Sequence, residues 1–127
     1  MAVKYKVVEM GNPGDQSAPK KFYARLVSNG EITLHSLSKE IAGRSSLTVG
    51  DVKNVIEQLI ELIPQHLAEG KIVRLGTLGS ISLTCSSEGK ETAAKVNPSC
   101  IKSIKASYRP SNDLKSSLAD LKFEKQS

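Results

Sequence analysis

Apolar and polar residues alternate along residues 1–30, which predicts two β-strands. The first strand is expected over Val3–Glu9 and the second over Lys21–Ser28, since apolar positions recur at every second residue in each. Residues 11–19 between them are rich in glycine and proline, a composition typical of a loop. Asn29-Gly30 is a strong turn signal because both residues tolerate positive φ. The two strands are thus well placed to pair with each other.

Helical spacing of apolar residues replaces this alternation after residue 33. A short helix is predicted over Leu37–Ala42, and a longer one begins at Thr48 and ends near Glu69. Thr48 and Asp51 have the spacing of a capping box. The apolar stripe of the longer helix is wider than one short neighbouring helix would cover. Pro64 lies inside this helix and is expected to kink it or loosen its last turn.

The remainder of the chain returns to strand patterns around a polar segment. The predicted elements are a strand over Lys71–Leu75, a turn over Gly76–Gly79, a strand over Ser80–Cys85, a flexible tip over Ser86–Lys95, a strand over Ile101–Arg109 and a helix over Leu114–Leu121. Ser111 is expected to cap that helix. Residues 122–127 are expected to fray because they have little to pack against.

Charge is distributed unevenly along this chain, whose formal net charge is +5. Residues 31–70 sum to −3, whereas residues 1–30 sum to +3 and residues 71–109 to +5. The helical part is therefore acidic and the strand-forming parts are basic. This asymmetry favours a basic strand face, and a basic excess of this size fits nucleic acid, an anionic surface or no particular partner.

The residues that usually carry catalysis or bind metals are sparse. Cys85 and Cys100 are too few for a disulfide framework, and they are expected to be reduced thiols. His35 and His66 are isolated from acidic residues and thiols, so no metal, cofactor or enzymatic activity is expected. The N-terminus alternates where a signal peptide would have an apolar run, so a cytoplasmic location is expected. With few aromatics, the core must be aliphatic and small, which favours an oligomer.

The order of predicted elements, from short helix to long helix, β-arm and final helix, resembles the HU and integration host factor family of bacterial histone-like proteins. Residues 37–42 match its first helix, and Gly70–Leu78 is similar to its glycine-rich signature, with one turn residue missing and leucine at both phenylalanine positions. Tyr108–Ser111 takes the place of the family's segment before the last helix. The resemblance implies an α+β, HU-like domain over residues 31–127, with residues 1–30 as an N-terminal two-strand extension.

The resemblance further implies an intertwined homodimer whose two arms embrace double-stranded DNA with little sequence preference. Such binding is driven by phosphate neutralisation and counterion release. The residues assigned to the dimer interface are Val52, Val55, Ile56, Leu59, Ile63, Leu78 and Tyr108. The residues assigned to DNA binding are Lys71, Arg74, Lys90, Lys95, Lys102, Lys105, Arg109 and Lys115.

Two features depart from the family pattern. The tip signature Arg-Asn-Pro is absent; Asn97-Pro98 is its nearest match and is expected on the returning strand, about six residues too late. The outward positions that normally carry arginine are Ser80, Ser82 and Thr84, which release no counterions. Strong bending of DNA is therefore not expected. Binding should be weaker than in a standard member and therefore lost at lower salt concentration, with a log–log salt slope of roughly −3 to −4 for about four neutralised phosphates.

Other interpretations of the basic strands stay open at the level of sequence. Lysines on the returning strand also protect solvated edge strands against aggregation. For the N-terminal cations Lys4, Lys6, Lys20, Lys21 and Arg25, a solvated face is the favoured interpretation. The alternative function is a protein-interaction or assembly module that has lost strong DNA binding and recruits a partner through its N-terminal strands.

Overall fold

The computed structural model describes residues 2–126 and has an α+β architecture with three helices and two small sheets within that range. The elements are β1 (Val3–Met10), β2 (Lys21–Leu26), α1 (Leu34–Gly43), α2 (Val49–Ala68), β3 (Val73–Arg74), β4 (Gly79–Ser87), β5 (Ile101–Pro110), α3 (Asn112–Ser117) and β6 (Phe123–Lys125). Short 3₁₀ turns cover Gly76–Leu78, Ala93–Lys95 and Pro98–Cys100.

The first sheet, which we call the N-terminal sheet, has the strand order β2-β1-β6. β1 and β2 pair antiparallel, as the alternating pattern predicts. The expectation that the C-terminus frays is wrong for Phe123–Lys125, which pairs parallel with β1. The backbone N–H of Val3 donates to the carbonyl of Lys122 at 2.8 Å, and that of Gln126 donates to the carbonyl of Tyr5 at 2.8 Å. Ser127 lies outside the described residues, and the division at residue 30 stays a prediction.

Helices α1 and α2 both begin at side-chain caps. The cap of α2 is the predicted one, whereas α1 begins at Leu34, before the predicted start at Leu37. Thr33 caps α1, its hydroxyl accepting from the backbone N–H of Ser36 at 3.2 Å. A capping box opens α2: the Thr48 hydroxyl accepts from the Asp51 N–H, and the Asp51 carboxylate accepts from the Thr48 N–H, both at 3.1 Å. The helix runs through Pro64 to Ala68, so the proline does not end it.

The second sheet, which we call the arm sheet, has the order β3-β4-β5. The strand expected over Lys71–Leu75 is reduced to Val73–Arg74, because the chain turns at Leu75, whose N–H donates to the Gly79 carbonyl at 2.8 Å. Gly79 has φ +132, and a β-carbon there would lie 2.3 Å from the carbonyl oxygen of Arg109. This close approach fixes the turn against β5.

The last helix is shorter than the leucine spacing predicts. It ends at Ser117, and the N–H of Leu118 makes a turn-type bond to the carbonyl of Lys115 at 3.1 Å. Leu118 and Leu121 are both exposed, so they supply no packing that would extend the helix. The chain then runs directly into β6.

Apolar burial within the single chain is slight. The buried apolar residues among those described are Val52, Leu67 and Cys100. The chain exposes 10705 Å², whereas a compact protein of this mass would expose roughly 6,600 Å². The excess reflects both the projecting arm and a set of exposed leucine, isoleucine and valine side chains on the helices.

Candidate nucleic-acid interface

One face of the arm sheet carries hydroxyl and basic side chains in a continuous array, which we call the arm face. Arg74 pairs with Ser80, and Ser80 pairs with Arg109, so the three residues form one row across β3, β4 and β5. Directly paired residues point to the same side of a sheet. The further pairs on this face are Ser82 with Ser107, Thr84 with Lys105 and Ser86 with Lys102.

A β-bulge keeps two lysines on the arm face that simple alternation would separate. Between the Thr84 and Ser86 pairs β4 advances by two residues, but β5 advances by three, from Lys105 to Lys102. The extra residue lies next to Ser103, which has φ +46, a conformation uncommon outside glycine. Without it, Lys102 would point to the opposite side from Lys105, because the two are an odd number of residues apart.

The opposite face of the arm sheet is apolar near the body of the protein. Val73, Ile81 and Tyr108 form one row, and Leu83 pairs with Ala106 in the next. The Tyr108 hydroxyl donates to the carbonyl of Leu78 at 2.6 Å, which ties β5 to the glycine-containing turn. An apolar face on one side orients the basic face outward on the other.

The far end of the arm is a loop over residues 88–100, closed by a hydrogen bond of 2.9 Å from the Glu88 N–H to the Cys100 carbonyl. Asn97-Pro98 belongs to this loop, so its expected position on the returning strand is wrong. The Asn97 side chain accepts from the Ser99 N–H at 3.0 Å and caps the turn that Pro98 begins. The cysteines are both free thiols, with Cys85 exposed on β4 and Cys100 only 1% exposed beneath the loop.

Ion pairs leave the centre of the arm face unneutralised. Within residues 2–126, Lys71 pairs with Glu69 at 2.7 Å, and Glu88 lies 3.5 Å from Lys90 and 3.8 Å from Lys102. All three pairs are exposed, so each contributes little stability and can exchange for another anion. The assigned cations that form no ion pair in that part of the chain are Arg74, Lys95, Lys105, Arg109 and Lys115.

The structure brings together four of the eight residues assigned to DNA binding, Arg74, Lys102, Lys105 and Arg109. A shallow concavity on the same face is lined by Ile72, Arg74, Ser80, Ser82, Thr84, Ser107 and Arg109. Lys90 and Lys95 lie in the loop at the end of the arm, Lys71 follows α2, and Lys115 lies in the last turn of α3. The bulge is not predicted from the sequence. Its only sequence signal is that Lys102 and Lys105, which share a face, lie an odd number of residues apart.

The residues assigned to a dimer interface differ in their burial within one chain. Val52 is already buried, and Ile56 and Ile63 are half-buried. The remaining four, Val55, Leu59, Leu78 and Tyr108, are between 41% and 55% exposed. These four side chains leave apolar surface on α2 and beside the turn that the single chain does not cover.

Other features of the described residues do not add a second candidate site beside the arm face. An open cleft lies in the β1–β2 loop region and is lined in part by Met10, Pro13, Pro19 and Tyr23. Residues 2–126 contain no cluster of three histidine, cysteine or acidic side chains that could hold a metal ion. No helix in this range combines the length and apolar character needed to cross a membrane.

Two helical lysines perturb the one histidine on α1. Lys53 repels the charged form of His35 most strongly and Lys39 adds to this, so the pKa of that imidazole lies below its usual value of 6.5. The ring is fully exposed, and slight desolvation acts in the same direction. The effect is a local electrostatic one within the helix pair.

Comparisons with known proteins relate the whole chain to HU-like domains. No curated relative matches it. A crystal structure of a candidate bacterial DNA-binding protein from Bacteroides vulgatus ATCC 8482 is similar, with a TM-score of 0.66 at 16% identity; the match covers 98% of this chain and 48% of that one. The chain therefore spans about half the length of that protein, and the likeness establishes the fold. Residues 1–125 match the family described as an HU domain fused to wHTH, Ig, or Glycine-rich motif, and the chain belongs to this HU-HIG family.

Proposed function

We propose that the chain is a non-enzymatic, sequence-tolerant DNA-binding protein of the bacterial nucleoid that acts as a homodimer. The observation that carries the proposal is the arm face: Arg74, Ser80 and Arg109 in one row, with Lys105 and Lys102 held on the same side by the bulge. Membership of an HU-like family supports DNA as the partner.

The side chains of the arm face fit phosphates better than base edges. Lysine, arginine and serine or threonine hydroxyls are the groups that most often contact the DNA backbone, and such contacts carry no sequence information by themselves. On β4 the outward positions are hydroxyls, so counterion release depends on the cations of β3 and β5. Binding that tolerates sequence and weakens steeply with salt follows from this composition.

A homodimer accounts for the exposed apolar surface. The chain exposes 10705 Å², and an obligate dimer interface typically covers at least about 2,000 Å² in total. The four exposed side chains assigned to the interface, Val55, Leu59, Leu78 and Tyr108, lie on or beside α2 and the turn that packs on β5. Covering them would also place two arms on one molecule.

The test is fluorescence anisotropy with a random-sequence duplex at low salt. We expect micromolar or tighter binding by the wild type and at least a tenfold loss for the double variant Lys105→Thr/Arg109→Thr, which keeps β-forming residues on the strand. The control is Lys39→Thr/Lys53→Thr, which removes the same charge from the helices and should change affinity less than threefold. No binding by the wild type, or equal losses for both variants, contradicts the proposal.

The dimer is tested separately by sedimentation. The expected mass is twice that of the 13.7 kDa chain. Val55→Asp would place a charge on the proposed interface and should give a monomer or an unfolded chain, because an unpaired buried charge is costly. A wild-type protein that sediments as a stable monomer at micromolar concentration contradicts this part of the proposal.

A further inference from the structure

The N-terminal sheet has one apolar and one basic face, and its register fixes which residue lies on which. The mainly apolar face carries Val3, Tyr5, Val7, Phe22, Ala24, Leu26 and Phe123, together with the charged residues Glu9 and Lys125. Several of these are well exposed in the single chain, Phe22 at 69% and Leu26 at 62%. A two-sided small sheet is stable only when its apolar face is covered, so the basic face is the one left to point outward.

The basic face is defined by Lys4, Lys6, Lys21 and Arg25. Val8, Met10 and Tyr23 lie among them, with Tyr23 paired to Val8. One acid, Glu124, pairs in register with Lys4. The face therefore keeps a net charge of +3, on a module whose first thirty residues already hold +3 of the chain's +5.

Two like charges stand directly opposite each other on this face. Lys6 pairs with Arg25 in the antiparallel register, and both side chains are exposed. Like charges at directly opposite positions destabilise a sheet. Within residues 2–126 none of the four cations forms an ion pair, and Glu124 does not bond Lys4 despite their register. Within the described residues, no anion therefore binds this face and offsets the repulsion between Lys6 and Arg25.

We propose that this basic face is a second contact surface for DNA phosphates, separate from the arm face. The inference rests on the proposed function, because it assigns the same partner to a surface that the arm does not include. A phosphate between Lys6 and Arg25 would remove the repulsion that the register creates, and it would add counterion release that hydroxyls on the arm face do not provide. The sheet would lengthen the DNA contact and raise its salt dependence.

The variant Lys6→Glu separates binding from folding. It removes two units of positive charge from the face and creates an opposite-charge pair with Arg25, so the sheet should be at least as stable as in the wild type. Lys39→Glu on α1 is the matched control, since it makes the same change of charge away from both faces. Thermal melts of all three proteins check the fold.

The measurement is the slope of log binding constant against log salt concentration for full-length protein with a random-sequence duplex. We expect Lys6→Glu to reduce the magnitude of the slope by at least about 2, since each lost phosphate contact accounts for about 0.9. Lys39→Glu should leave the slope within about 0.5 of the wild type. Lys6→Thr, which leaves Arg25 in place, should fall between wild type and Lys6→Glu.

Two results would overturn the inference in distinguishable ways. If the wild type binds DNA and Lys6→Glu has an unchanged slope, the N-terminal sheet makes no phosphate contact, although the arm proposal survives. If the wild type does not bind DNA at all, the proposed function fails, and the second surface fails with it.

Discussion

The two sheets both carry cations on one face and apolar side chains on the other, but they space their charges differently. On the arm face a serine or threonine separates or faces each cation, as in the row Arg74–Ser80–Arg109. On the N-terminal sheet Lys6 faces Arg25 directly. No two cations are directly paired on the arm face, whereas Lys6 and Arg25 are paired and repel each other on the N-terminal sheet, and a bound anion would offset that repulsion. Two faces of similar net charge can therefore differ in how much a bound anion would stabilise them.

The sheets also differ in regularity. β1 and β2 keep one register along their whole length, and the cations of these two strands reach one face by ordinary alternation. The arm reaches the same outcome only through the irregularity at Ser103 and the tight turn at Gly79. Substitutions at these two places should therefore alter the arm sheet and leave the N-terminal sheet intact.

The largest expected effect is that of Gly79→Ala. A β-carbon at Gly79 would lie 2.3 Å from a backbone carbonyl, and its φ of +132 belongs to a region open essentially to glycine. We expect a loss of at least about 2 kcal/mol in the free energy of unfolding, combining strain and overpacking. The control is Gly11→Ala, directly after β1 of the other sheet, whose β-carbon would lie 3.8 Å from the Lys20 side chain, an ordinary van der Waals contact. Denaturant unfolding measures both, and equal losses would show that the turn is not constrained.

A smaller effect is expected at the bulge. Ser103→Gly should preserve or stabilise the φ of +46, whereas Ser103→Val should cost about 1–2 kcal/mol, because a β-branched residue resists that conformation. Amide hydrogen exchange at Lys102 and Glu88 locates the change on the arm, and DNA affinity should fall only for the valine variant. If valine and glycine behave alike, the bulge is absent in solution.

The smallest effect concerns the helices, where repulsion acts within the protein and not toward DNA. The depressed pKa of His35 means that the unfolded chain binds this proton more tightly than the folded one. His35 therefore lowers stability slightly as pH falls below its usual pKa of 6.5, and it has no effect above that value. Titration by NMR should show a pKa below 6.5 that rises in Lys53→Gln. A pKa unchanged by that substitution would remove Lys53 as the cause.

Local signals in the sequence predicted most of the elements but not the contacts between distant ones. The capping box at Thr48 and the alternation in β1 and β2 depend on residues a few positions apart, and both are present. Phe123–Lys125 is too short to show a period, so its pairing with β1 is visible only in three dimensions. The sequence alone places Asn97-Pro98 on the returning strand, but β5 begins only at Ile101. Local patterns miss this boundary because the ends of β4 and β5 are set by their mutual register.

The sequence predicts which residues of the candidate site are basic better than it predicts which of them share a face. The basic character of residues 71–109 is evident in the sequence, and four of the assigned cations share the arm face. That Lys102 shares it with Lys105 depends on one residue with positive φ, which alternation cannot reveal. For the N-terminal cations a solvated face was the favoured expectation, and the Lys6–Arg25 pairing in the structure is the reason to propose a partner instead.

The central claim is that cations of the arm face neutralise DNA phosphates, and the salt dependence of binding by Lys105→Thr/Arg109→Thr tests it most directly. Two such cations on each of two protomers correspond to about four phosphates, or roughly 3.6 in the magnitude of the log–log slope. Because further arm cations and the N-terminal sheet add phosphate contacts, the wild-type slope should be steeper than the −3 to −4 expected from the sequence. The account predicts that the double variant loses about 3.6 of that slope, whereas Lys39→Thr/Lys53→Thr loses almost none. A double variant with the wild-type slope would contradict it.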